Sequence, residues 1–238
     1  MKTEILYEDN SIIVVYKPAG LATQTARIGE EDAESEIRNY LARTGGKNTY
    51  VGVVHRLDQP VEGILVFAKT RRAAATLSED LGTETAGKDY IAAVYIDDKD
   101  ALKDKERTLT DYIYKDKNGR AKIAKTEAEI KNNNAKRAVL TYSVIGEGNE
   151  NGIAFLRVVL HTGRFHQIRA QLSNAGLPIL GDLKYGNDVS IKLSEGLNIR
   201  TVALCADRLS FTHPDMGKSM NFSVNARKPI FGEIYGKA

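Results

Sequence analysis

The sequence has one cysteine, Cys205, and no tryptophan in 238 residues. A lone thiol cannot close an internal disulfide, so an extracellular disulfide framework is excluded and a reducing, cytoplasmic compartment is the expectation. Long apolar runs are also missing. No stretch approaches the roughly 20 apolar residues that span a bilayer, so no membrane association is expected. Met1 to Asn10 carries Glu4, Glu8 and Asp9 and has no apolar signal core. Nor is there an excess of one charge: 34 basic against 31 acidic residues leave a net +3. So small a surplus does not choose a partner, and it permits nucleic-acid binding only if the positive charges cluster. Apolar residues are plentiful at 42%, which excludes a disordered chain and supports a sizeable core. There is no internal repeat and no composition break, so residues 1–238 are expected to form one domain.

The apolar patterning reads mostly as short strands with a few helices. Strands are expected at Ile12 to Tyr16, Val51 to Val54, Ile64 to Ala68, Tyr90 to Ile96, Ala138 to Val144, Ile153 to Leu160, Val202 to Leu209 and Met220 to Val224. Thr126 to Ile130 also alternates apolar and polar residues. Helices are expected at Glu31 to Arg43, Ala73 to Leu81 and Arg164 to Leu172. Tyr112 to Ile123 reads as a hairpin in which Asn118-Gly119 supplies the positive φ angles of a tight primed turn. Asp97 to Arg107 reads as a charged surface excursion and Glu147 to Gly152 as a turn. Without a βαβ alternation, a doubly wound parallel sheet is excluded. The expectation is α+β, with a large mixed, mostly antiparallel sheet flanked by helices and loops.

Three runs bear chemistry. In the first, two apolar strands flank a short polar loop, His55-Arg56-Leu57-Asp58-Gln59-Pro60-Val61-Glu62-Gly63. Polar groups on a loop held by a rigid scaffold are a common form of active site, although on local grounds an ordinary solvent-exposed turn fits as well. The second is Lys88-Asp89-Tyr90, which opens a strand. The third is His161-Thr162-Gly163-Arg164-Phe165-His166-Gln167-Ile168-Arg169, followed by Gly181-Asp182 and Tyr185-Gly186. There, Thr162 is the expected N-cap, and Phe165, Ile168, Arg169 and Leu172 share one helical face. An arginine on an apolar face needs an acidic partner, and Asp58 is the one expected. His55, His161 and His166 do not have the spacing of a compact zinc site, so no metal is expected.

These runs, in this order, resemble the motifs of the RluA-type RNA pseudouridine synthases. The late segment Leu209-Ser210-Phe211-Thr212-His213-Pro214 is similar to another of the family's runs, so the resemblance extends over about Ile12 to Phe222. The sequence departs at Val61-Glu62, where the family usually has Thr-Ser. That change removes two hydroxyls and adds a carboxylate beside the loop.

The resemblance implies the pseudouridine synthase fold, with no separate N-terminal RNA-binding module. It also implies an isomerase that turns specific uridines of ribosomal or transfer RNA into pseudouridine without a cofactor. By the same resemblance Asp58 is the catalytic carboxylate, Arg169 keeps it ionised, and Tyr90 lies against the base. Arg56 fills the gap left by the flipped nucleotide, and His55, Leu57, Arg164, His166 and Gln167 line the substrate site. Lys115, Lys117, Arg120 and Lys122 cluster at the hairpin and are candidates for the RNA backbone. Two other readings stay open: a catalytically silent RNA-binding factor, and a nucleosidase using Glu62 to activate water. The oligomeric state is not legible, and a monomer is the simplest expectation.

Overall fold

The protein is described by a computed structural model covering residues 1–25, 29–44, 49–83, 86–97, 104–148 and 152–235. The chain divides into two compact units. One comprises residues 1–88 and 206–226, the other 89–205 and 227–238.

The first unit is built on strands that read as uninterrupted apolar runs because both faces are covered. β2 (Ile12–Lys17) and β4 (Glu62–Ala68) are buried along their whole length. They pair antiparallel from Ile12 opposite Ala68 to Lys17 opposite Gly63. The order β1 (Glu4–Glu8), β2, β4, β10 (Leu204–Thr212) is extended by β11 (Ser219–Ser223) on β10 and by the short β3 (Gly52–Val53) on β4. Two helices cover this unit's strands. α1 (Ala33–Arg43) starts where the Asp32 carboxylate accepts the Ser35 amide at 2.7 Å, with Glu34 and Glu36 in the first turn. α2 (Arg71–Asp80) starts at Thr70, whose hydroxyl accepts the Ala73 amide, and it buries Ala73 and Leu77 against Val14, Val66 and Phe211. Gly63 has φ +131°, and a Cβ there would lie 2.3 Å from the Ala206 carbonyl oxygen. Only glycine lets β4 begin at that point.

The second unit carries the strand order β5 (Gly87–Tyr95), β9 (Ile153–Leu160), β8 (Lys136–Glu147), β6 (Glu106–Lys115), β7 (Ala121–Ile123). Its registers are antiparallel. Leu140, Tyr142, Leu156 and Val158 are buried on these strands. The helices are α3 (Glu127–Asn132), α4 (Gln167–Asn174), α5 (Asp188–Gly196) and the short C-terminal α6 (Gly232–Tyr235). The α+β expectation holds, with antiparallel pairing dominant.

Several local expectations need correction. Thr126 to Ile130 is no strand: Thr126 caps α3 by accepting the Glu129 amide at 3.2 Å. The hairpin turn is not a primed two-residue turn, since only Gly119 has positive φ (+69°). Asp116 instead collects the Asn118 and Arg120 amides on its carboxylate and closes a wider loop with αL glycine. Helix α5, β1 and the first residues of β6 carry no strong signal in the sequence. Within the charged excursion and the turn expected at Asp97 to Arg107 and Glu147 to Gly152, residues 98–103 and 149–151 lie outside the described residues. Among the described residues, no helix is long and apolar enough to cross a membrane.

Candidate active site

The Asp58 loop is fixed in the first unit by its main chain. β2 ends at Lys17, whose side chain is fully buried. Its ammonium donates to the carbonyls of Pro18 (2.9 Å), Leu21 (2.7 Å) and Gln59 (3.3 Å). The Gly20 amide also donates to the Gln59 carbonyl at 2.8 Å, and the Gln59 amide group returns a bond to the Gly20 carbonyl at 3.1 Å. Two residues earlier, the Thr23 hydroxyl donates to the Leu57 carbonyl (2.8 Å) and accepts the Leu57 amide (3.1 Å). The Asp58 carbonyl accepts the Val61 amide at 3.0 Å. Residues 57 and 59 are therefore gripped through backbone atoms by the stretch from 17 to 23, and residue 58 by the turn to Val61.

The side chains of this loop differ sharply in exposure. Arg56 is exposed, Asp58 is half-buried, and Leu57 is buried in the core. His55 serves the scaffold: its Nε2 accepts the Val66 amide of β4 at 3.0 Å. Burial, and then the positive charge of Lys88, push the imidazole down to about 3. The ring is therefore neutral at physiological pH, in the tautomer that leaves Nε2 as an acceptor. Lys88 is itself held below the usual lysine range by burial, and it donates to the Leu81 carbonyl at 2.6 Å. Val61 and Glu62, where the loop departs from the family pattern, are both buried.

In the second unit, Tyr90 is buried on β5 opposite Val158 of β9. The third run is organised differently from its expectation. Helix α4 begins at Gln167, not Arg164, and its N-cap His166 lies in the left-handed region with φ 51° and makes no side-chain cap. Thr162 does not cap it. The Thr162 hydroxyl accepts the Val139 amide at 2.8 Å and donates to Gln167 Oε1 at 2.8 Å. Gln167, also buried, accepts the Arg164 amide at 2.9 Å and donates to the Val139 carbonyl at 3.1 Å. This segment is thus sewn to β8, which prevents the helix from starting earlier. Phe165 consequently leaves the expected apolar face and is 41% exposed.

Arg169 does have an acidic partner within its own unit, and it is Asp182. Nε and Nη2 donate to the two Asp182 oxygens at 2.7 and 2.8 Å, with both side chains buried. This is the bidentate geometry of a strong guanidinium–carboxylate pair. Asp182 also accepts the Lys184 and Tyr185 amides at 3.0 and 3.1 Å. The Arg169 guanidinium lies 5.0 Å from the Tyr185 ring centre. The Tyr185 hydroxyl accepts the Ala121 amide of β7 at 2.7 Å and pairs with His166 Nδ1 at 2.9 Å.

The residues missed by sequence reading are Lys17, Thr23, Asp182 and Tyr185. The last two sit in the Gly181-Asp182 and Tyr185-Gly186 run, whose position in the sequence is a signal but does not give their partners. The hairpin cations Lys115, Lys117, Arg120 and Lys122 are all exposed, as is Arg164. Arg164 is anchored by its Nε to the Arg137 carbonyl at 2.9 Å.

Comparison with known proteins bears on this arrangement. A family model described as RNA pseudouridylate synthase matches residues 11–174. A tRNA pseudouridine synthase C of Haemophilus ducreyi is 30% identical over 230 residues, covering 94% of this chain and 91% of that protein. A ribosomal large subunit pseudouridine synthase D of Neisseria meningitidis is 32% identical over 245 residues, 99% of this chain. An uncharacterized RNA pseudouridine synthase of Bacillus subtilis is 30% identical over 211 residues, 89% of this chain. The chain spans 60% of the Neisseria protein and 64% of the Bacillus one. Among solved structures, Human RNA Pseudouridylate Synthase Domain Containing 4 matches with a TM-score of 0.74 at 22% identity, covering 98% of this chain and 92% of that one. That last likeness speaks for the fold. With the family model matched over most of the chain, the chain belongs to the RNA pseudouridylate synthase family.

Proposed function

We propose that this protein isomerises uridine to pseudouridine in ribosomal or transfer RNA, with Asp58 as the catalytic carboxylate. The observation that carries the reading is the Asp58 loop. Its backbone is gripped on both sides of residue 58 by Lys17 and Thr23, which leaves a half-buried carboxylate on a rigid mount. A fixed acid at the end of a polar loop is what a reaction needing a preset geometry requires. The names of the Haemophilus and Neisseria relatives supply the two RNA classes.

The reaction breaks the bond from the uracil nitrogen to the sugar. The base then turns and rejoins through carbon; the proton on that carbon is lost and the freed ring nitrogen takes one up, so the composition is unchanged. Uracil delocalises the negative charge of departure, and no water is added. One ionised carboxylate suffices where glycosidases use two. Asp58 attacks the sugar or removes a sugar proton. Tyr90 lies against the base. Arg56 is exposed and has the length to fill the gap left by a flipped nucleotide, which offsets part of the few kcal/mol that flipping costs. Lys115, Lys117, Arg120 and Lys122 meet the phosphates.

Asp58→Asn tests the assignment. RNA from cells lacking the gene is incubated with each protein, and pseudouridine is mapped site by site. The variant should fold normally and lose at least about 10²–10⁴-fold in rate. Activity near that of the unaltered protein rejects Asp58, and release of free uracil in place of pseudouridine rejects the isomerase.

A further inference from the structure

We propose that Phe165 is a stacking platform for a nucleobase of the bound RNA, distinct from the uridine that is isomerised. This rests on the reading of the protein as an RNA enzyme and adds a specific contact to it.

The case begins with the misfit of Phe165. A phenylalanine buried on α4 would need no explanation, but this one precedes the helix and is 41% exposed. Its ring is nevertheless held still. It stacks on the His166 imidazole with centres 3.8 Å apart and planes 19° apart. The imidazole is fixed in turn by the left-handed backbone at His166 and by its bond to the Tyr185 hydroxyl. Tyr185 is tied to β7 through the Ala121 amide and stands edge-on to the imidazole at 5.6 Å. A solvent-facing aromatic is thus preorganised by a chain of contacts reaching into the unit. Ordering it at the moment of binding costs little, which is the usual basis of tight contact by rigid aromatics.

The surroundings define the occupant. Lys115 Nζ lies 4.8 Å from the Phe165 ring centre. Arg164 adjoins it in sequence and is exposed, and its anchor Arg137 is exposed too. An exposed ring among cations fits a polyanion that carries flat π-faces. Single-stranded RNA is such a polymer, with phosphates for Lys115 and Arg164 and a base for Phe165. An acidic peptide would satisfy the cations but give the ring nothing flat to meet.

The chain's lack of tryptophan supplies a direct probe. Phe165→Trp in the full chain places the only indole at the platform, where base stacking quenches its fluorescence. Titration with a uridine-containing single-stranded RNA dodecamer should quench that emission, whereas inorganic polyphosphate, which has charge without bases, should not. Phe165→Ala and Phe165→Leu should each weaken binding of the same dodecamer about 5- to 150-fold, and Phe165→Trp should bind as the parent does. Because stacking displaces no counterions, Phe165→Ala should keep the parent's dependence on salt. Lys115→Ala should lower the slope by about 0.7. A Phe165→Leu variant that binds like the parent overturns the proposal, as does an indole quenched equally by polyphosphate. In either case a parent protein that still forms pseudouridine leaves the RNA reading standing. A parent that neither binds nor modifies RNA removes both.

Discussion

The loop around Asp58 and the segment from Thr162 to Arg169 are both short polar connections, and they are held in opposite ways. Around Asp58 the grip closes on main-chain atoms: Lys17 on the Gln59 carbonyl, Thr23 on both polar groups of Leu57. In the other segment its own side chains make the bonds, to the Val139 backbone and to other side chains. Thr162 reaches Gln167, Arg169 reaches Asp182, and His166 reaches Tyr185. A main-chain grip fixes where residue 58 stands while leaving its identity to chemistry. A side-chain network ties each identity to the fold. Gln167 and Arg169 are thus structural requirements of the segment from Thr162 to Arg169.

That contrast can be broken at its strongest point by Asp182→Ala. Removing Asp182 strips two charge-assisted bonds from the buried Arg169 guanidinium, at a cost of about 3–5 kcal/mol. Urea denaturation should show a loss of that size. A loss below about 1 kcal/mol would mean that the network is not what fixes the segment. Lys17→Met should come next. Loss of three bonds from a buried ammonium to carbonyls should cost about 2–4 kcal/mol and slow pseudouridine formation by more than the stability loss explains. Unchanged rate in folded protein would show that Asp58 does not depend on this grip.

The most gradual effect, measured per pH unit, is the pH dependence contributed by His55. Its imidazole titrates at about 3 in the folded chain against an ordinary value of 6.5. Between those values the unfolded chain binds a proton that the folded chain refuses. The stability is fully present above pH 6.5 and is lost as pH falls toward 3, by at most ~1.4 kcal/mol per pH unit. His55→Gln keeps an acceptor for the Val66 amide without titrating, so it should flatten that slope in denaturation curves at pH 4 to 7. An unaltered slope would show that His55 is not held neutral by its surroundings.

Much of the scaffold was legible. Helices α1 and α2 lie in the stretches expected at Glu31 to Arg43 and Ala73 to Leu81, and β2 and β4 in the apolar runs Ile12 to Tyr16 and Ile64 to Ala68. The errors cluster where a distant contact outweighed a local preference. Thr162 looks like a cap from its neighbours alone, and only β8 takes it away from α4. Thr126 to Ile130 alternates like a strand over five residues, too short a stretch for period to decide against a capped turn of helix. Asn118-Gly119 suggests the tighter turn, but the carboxylate of Asp116, two residues before Asn118, takes the Asn118 and Arg120 amides and widens it.

For the candidate site, the sequence alone determined the chemistry available: which acid, which tyrosine, which arginines, and in what order. Those are properties of residue type and short spacing, and they survive any fold. Only the tertiary structure decided how each is held. It showed that the grip on Asp58 comes from residues 17–23, that Arg169 holds Asp182, and that Phe165 faces solvent. Each of those depends on pairing between segments far apart in the chain, whose geometry is set by packing and by the need of buried polar groups for partners, and no local pattern encodes it.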